Sequence, residues 1–142
     1  MKAVIQRATY SNLSIDNKIY SQINGGLVVL LGITHDDDYN DIQWLAKKIV
    51  NLIIFNDDKN IMNKSLIDIS GELMIVSQFT LHAQTKKGNR PSYIDAANGD
   101  IAEKIYKSFI LEIENKYNLK PKTGKFGADM KVELENDGPV TI

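Results

Sequence analysis

A chain of 142 residues can bury a substantial core but is short for two ordinary domains, and its 43% hydrophobic and 25% charged residues are the proportions of a soluble globular fold. The formal net charge of -1 excludes a global field that draws the chain to nucleic-acid backbone or anionic membrane, and no apolar run approaches the roughly 20 residues that span a bilayer. Cysteine is absent, which removes disulfides, thiolate nucleophiles and Cys-ligated zinc and leaves the cytoplasm as the default location.

The opening residues, Met1 to Arg7, interrupt a short apolar stretch with charges and lack the apolar region of a signal peptide. Branched apolar residues predict a strand over Lys2 to Thr9 and two more over Asn12 to Ile15 and Lys18 to Ile23, around a turn at Asp16-Asn17. Arg7 shares a strand face with Ile5 and Thr9, where either a fixed acceptor or a solvated outer face accounts for it. Leu27 to Thr34 is a continuous apolar run with no polar alternate, the pattern of a strand covered on both sides and so of the central strand.

His35 and Asp36 to Asp38 supply helix-capping groups, and Ile42, Leu45, Ile49 and Leu52 give the following helix an apolar face. The acidic run lacks the spacing of a calcium loop, and His35 and His82 fall in no zinc-ligand pattern, so no metal is expected. Ser65 to Asp68 reads as a short edge strand. Glu72 to Leu81 reads as the strand that carries the site: its apolar run turns polar at Ser77-Gln78-Phe79-Thr80. A regular strand would place Thr80 and His82 on one face, a weak candidate for a nucleophile and base.

The next segment, as far as Tyr93, is a polar loop holding Lys86, Lys87 and Arg90, either poised near a site or simply solvated. Asn98 to Asp100 opens a second helix that ends near Asn118, ahead of Pro121. Glu103 with Lys107 and Glu112 with Lys116 support it, and Ile101, Ile105, Phe109 and Ile113 are its expected buried side, with no site on it. After the Gly124 to Met130 corner, Met130, Val132 and Leu134 alternate with charges as a half-buried strand. That strand leads to Asn136-Asp137-Gly138-Pro139, where proline must interrupt ladder pairing. No Walker or Rossmann phosphate loop, internal repeat or linker is present, so one domain covering 1–142 is expected.

Two separated motifs then combine. Ser77-Gln78-Phe79-Thr80 fits a Ser-Gln-x-Thr signature and Asn136-x-Gly138-Pro139-x-Thr141 an Asn-x-Gly-Pro-x-Thr signature, and together they resemble the D-aminoacyl-tRNA deacylases. The Met1 to Arg7 opening, the Lys87 to Ser92 loop and the Thr123 to Met130 corner resemble the same family in the same order. The resemblance implies a layered α/β/β, barrel-like mixed sheet with two main helices, and a homodimer. It implies hydrolysis of the ester between a D-amino acid and the tRNA 3′ end, without a cofactor, membrane or DNA. Ser77, Gln78, Phe79 and Thr80 would form the catalytic segment and Phe126, Ala128 and Met130 the adenine wall. Gly138 and Pro139 of the partner subunit would bind the substrate through a cis peptide, braced by Arg7. The competing readings are a non-catalytic tRNA 3′-end binding module, an isolated synthetase-type editing domain, and a dimeric structural protein.

Overall fold

A computed structural model describes all 142 residues, Met1 to Ile142. The elements are β1 Lys2–Ile15, β2 Lys18–Ile23, β3 Gly26–Gly32, α1 Tyr39–Asn51, β4 Phe55–Asn56, β5 Met62–Lys64, β6 Glu72–Ser77, a 3-10 turn Phe79–His82, α2 Gly99–Tyr117, β7 Lys122–Thr123 and β8 Lys131–Thr141. In the main sheet the order is β2-β1-β3-β6-β7, with β8 on the other edge of β1, while β4 and β5 form a separate hairpin. β3 runs antiparallel to β1 and parallel to β6, so the sheet is mixed, and it curls toward a barrel.

The apolar run in β3 has its explanation in two cores. Leu27, Val29 and Leu31 join Ile5, Leu73 and Ile75 in a core shared with Ile49 of α1 and Phe109 and Ile113 of α2. Val28 points the other way, into a core with Ala8, Leu13, Ile23, Met74 and Val76 that is closed by Met130, Val132 and Leu134. Helices therefore cover one face of the sheet and folded-over strand the other, which is the expected α/β/β layering.

Several local expectations change. The separate strands expected at Lys2 to Thr9 and Asn12 to Ile15 are one 14-residue strand, β1. One edge of β1 pairs first with β3 and then with β2, while β8 holds the other edge and carries β1 across the handover. The Asp16-Asn17 turn has both residues at positive φ, 51° and 59°, as a tight hairpin requires. Ser65 to Asp68 is a turn instead of an edge strand, because the Asp68 carboxylate accepts from the Ser65 amide at 2.8 Å and its hydroxyl at 2.7 Å.

Helix α1 starts as its acidic residues indicate. Asp38 Oδ1 accepts from the amides of Asn40 and Asp41, at 2.8 Å and 3.2 Å, and Asp41 Oδ2 accepts from the Asp38 amide at 2.9 Å. This capping box holds the Asp38 carboxyl below the usual carboxylate range, chiefly through the Asp41 amide. On α2 the buried side is Ala102, Tyr106, Phe109 and Ile113, whereas Ile101 is 39% exposed. Strict four-residue spacing drifts around a 3.6-residue helix, and the 4-3-4 pattern stays on one face. Buried Glu112 joins the helices by accepting from the Tyr39 hydroxyl at 2.7 Å, with Lys116 Nζ 3.3 Å away.

The β3–β6 pairing leaves no room at its start. Gly26 has φ +141°, and a Cβ there would lie 1.9 Å from the carbonyl oxygen of Glu72, its ladder partner. Gly26→Ala is therefore expected to cost about 3 kcal/mol or more, through backbone strain added to displacement of the ladder. A urea unfolding midpoint unchanged from the native chain would refute this.

Candidate active site

The site begins where the buried ladder stops. Leu31 and Ser77 are the last partners of the β3–β6 ladder, and the Gln78 amide then donates to the Leu31 carbonyl at 2.8 Å. The strand expected to reach Leu81 ends at Ser77, and the chain tightens into the 3-10 turn Phe79–His82. Beyond this end lies a cavity of about 510 Å³, with Ser77, Gln78 and Phe79 on one side and Phe126, Ala128 and Met130 on the other. Leu31, Ile33 and Val76 supply its apolar depth. Six of the residues selected from sequence thus meet around one space.

Thr80 is not part of the wall. Its Oγ1 accepts from Gln78 Nε2 at 2.5 Å, which ties the signature residues to one another. A 3-10 turn has three residues per turn, so Thr80 and His82 do not share a face as they would in a strand. His82 is buried with Nε2 unpartnered, and it lines a separate polar depression of about 470 Å³ with Thr34, His35 and Asp36. The first amides of such a turn have no acceptor within it, so those of Phe79 and Thr80 are the donors that the local geometry leaves over.

The flat wall is held from behind. Tyr106 is buried, its hydroxyl donates to the Ile75 carbonyl at 2.6 Å, and its ring lies 6.0 Å from that of Phe126. Burial pushes the Tyr106 hydroxyl well above its ordinary pKa, so it stays a protonated donor at any working pH. At the mouth, Phe79 is 55% exposed and meets the Tyr93 ring edge-on at 5.0 Å.

Arg7, Gly138 and Pro139 form a second assembly, away from the cavity of their own chain. Between the Ala8↔Asn136 and Gln6↔Thr141 pairs the register of β1 with β8 shifts, so Asp137 to Val140 bulge out. Within the bulge Gly138 has φ +111°, the Gly138–Pro139 peptide is cis, and both residues are exposed. Arg7 is buried beneath: Nη1 donates to the Ile54 carbonyl at 2.6 Å, and Nη2 would lie 2.9 Å from a Cβ at position 138. Its Nε is 2.8 Å from Asp137 Oδ2, an ion pair by distance although the N–H is not aimed at the oxygen. Of the two readings open for Arg7, the fixed acceptor is the one found.

Sequence reasoning missed three things. The ends of the second motif are structural: Asn136 Nδ2 donates to the carbonyls of Arg7 and Val140, both at 2.9 Å, and Thr141 Oγ1 donates to Asn136 Oδ1 at 3.0 Å. The start of α2, read as having no site, contributes Gly99 and Ala102, preceded by Ala97, to the cavity. Their small size was the available signal, since large side chains at those positions would fill the space. Asp129 and Gly127 also reach the rim.

A layered α/β/β chain whose central ladder ends in a cavity walled flat and apolar on one side, with hydrogen-bonding groups on the other, is built to hold a flat group that carries a polar appendage. Comparison with known proteins makes this specific: the chain matches the D-Tyr-tRNA(Tyr) deacylase family over residues 4–142 and belongs to it. It is 54% identical over 142 residues to a D-aminoacyl-tRNA deacylase of Parabacteroides distasonis, covering 100% of this chain and 95% of the relative. It is 53% identical over 142 residues to one of Fusobacterium nucleatum, covering 100% and 93%. The solved structure of a c-Myc DNA unwinding element binding protein superposes with a TM-score of 0.95 at 40% identity, covering 100% of this chain and 96% of that one. A probable eukaryotic D-amino acid tRNA deacylase, at 16% identity and a TM-score of 0.81, shares the fold, covering 99% and 96% of the two chains.

Proposed function

We infer that this protein hydrolyses the ester joining a D-amino acid to the terminal adenosine of tRNA and spares the L-aminoacyl ester. The observation that carries the reading is the meeting of Ser77, Gln78 and Phe79 with Phe126, Ala128 and Met130 around one cavity, in a chain of this family. The apolar wall takes the adenine, as flat bases are taken on aromatic and aliphatic surfaces. The ester carbonyl then lies by the Phe79 and Thr80 amides, which stabilise the negative charge that develops on its oxygen. Water attacks with help from the adjacent ribose hydroxyl. Thr80 is a poor nucleophile because no base contacts it, and its Oγ1 is engaged by Gln78.

Handedness is read by main chain from a second protomer. Gly138 and Pro139 are exposed and do not line their own chain's cavity, yet Arg7 and Asn136 hold that bulge rigidly, which suits a group presented to a neighbour. Their carbonyl oxygens would fix the substrate's α-amino group and leave no volume for an L side chain. No helix is long and apolar enough to cross a membrane, and the reading places the protein with its tRNA substrate in the cytoplasm.

Purified protein is expected to deacylate D-Tyr-tRNA and to leave L-Tyr-tRNA intact; equal rates on both would sink the chirality claim. Thr80→Ala should keep kcat within about tenfold, against the 10³-fold or greater loss that removal of a covalent nucleophile brings. The shared site has its own test in subunit mixing. Neither Ala128→Trp homodimers, whose adenine space is filled, nor Gly138→Ala homodimers should be active. A mixture re-formed from both should regain about a quarter of native activity, because half the dimers are mixed and each has one intact site. A site confined to one chain regains nothing on mixing.

A further inference from the structure

We propose that the loop Thr85 to Pro91 is a phosphate clamp for the single-stranded acceptor end of the RNA substrate, a proposal that rests on the deacylase reading. From Leu73 to Ile94 the chain has no acidic residue, and Lys86, Lys87 and Arg90 fall within five positions of that stretch. In a chain of net charge -1 this is a local field, able to bind a polyanion where the molecule as a whole cannot.

None of the three cations enters an ion pair; the protein's five salt bridges use other groups. All three residues are exposed, in a loop turned by Gly88 at φ +72°. Ion pairing elsewhere in the fold, as between Lys107 and Glu103 at 2.8 Å, shows what these side chains forgo.

The loop is also tied to the site. Gln84 and Ser92 close its base with reciprocal backbone bonds of 2.8 Å and 3.0 Å, and Gln84 Nε2 donates to Asp95 Oδ2 at 2.6 Å. The residue that follows, Tyr93, packs against Phe79 at the cavity mouth, and Ala97, four residues on, lines the cavity itself. A terminal adenosine seated on the apolar wall must send its 5′ phosphate, and the nucleotides before it, out through that mouth. Two lysines and one arginine beside it match up to three phosphates, with the arginine able to grip one bidentately.

The test compares two substrates. The triple variant Lys86→Gln/Lys87→Gln/Arg90→Gln should raise KM for D-Tyr-tRNA by about tenfold or more at 0.1 M salt with kcat unchanged, since contacts far from the reacting bond bind ground state and transition state alike. Hydrolysis of 3′-O-(D-tyrosyl)adenosine, which has no phosphate, should be unaffected. For a short RNA ending in CCA, measured by fluorescence anisotropy, the slope of log affinity against log salt should flatten by about 2, the value for three phosphates released from a single strand. Native-like affinity of the variant for that RNA, or an equal loss on both esters, would overturn the clamp. A native chain that binds the RNA but cleaves neither ester overturns the deacylase reading, and with it the clamp as a part of catalysis.

Discussion

The parallel pairing of β3 with β6, buried on both faces, is the constraint from which the rest follows. Parallel strands need a crossover, and here the crossover carries α1 and the β4–β5 hairpin, whose Ile42, Leu45 and Ile49 cover one side of the ladder. Four fully buried side chains of β3, Leu27, Val28, Val29 and Leu31, represent on the order of 10 kcal/mol of transfer free energy before chain entropy is charged against it. That is as large as the whole net stability of an ordinary domain. The element that frames the site is thus also the one the fold can least afford to move, and the cavity inherits its rigidity.

A ladder of this kind must end somewhere, and its end is chemically unlike its middle. Up to Ser77 β6 is laddered to β3 along its length, and at Met74 and Ile75 to β7 as well. Past it the 3-10 turn leaves the Phe79 and Thr80 amides without an acceptor of their own, beside an apolar space that Phe79 lines; these are the donors that the proposed chemistry uses. The corner from Gly124 to Met130 supplies the opposite wall, because β8 must cross back over β1 and brings Met130 and Val132 against the second core. Neither wall makes a site alone; the fold joins them.

This division explains what was legible in the sequence. The β3 run announced a strand covered on both faces because no polar alternate interrupts it, and the acidic residues Asp36 to Asp38 announced a helix start, since both signals are local. The end of β6 was misplaced by four residues because Phe79, Thr80 and Leu81 have strand propensity and only the loss of a ladder partner stops them. The cavity's lining at and just before the start of α2 was passed over because Ala97, Gly99 and Ala102 matter by the volume they leave open, a signal of size that has no sequence period. The continuity of β1 likewise depends on β8, more than 100 residues later in the chain. Thr80 and His82 looked paired only while a period of two was assumed.

An enzyme that accepts many side chains but one configuration can use only atoms that all its substrates share: the α-carbon, the amino group and the carbonyl. A side chain reaching for those atoms would have rotamers to lose and room to yield, so an L substrate could displace it at the modest cost of a rotamer change. Main chain held from several sides cannot yield in that way. Around Gly138 the Arg7 fork anchors to the Ile54 carbonyl from below, Asn136 spans the bulge from Arg7 to Val140, and Thr141 fixes Asn136 in turn. Each bond is worth about 1 kcal/mol on its own, but together they leave the bulge no soft direction. A glycine at its apex is what lets the guanidinium approach within contact of the backbone, so the signature's Asn, Gly and Thr serve stiffness first, which is the property the proposed selectivity requires.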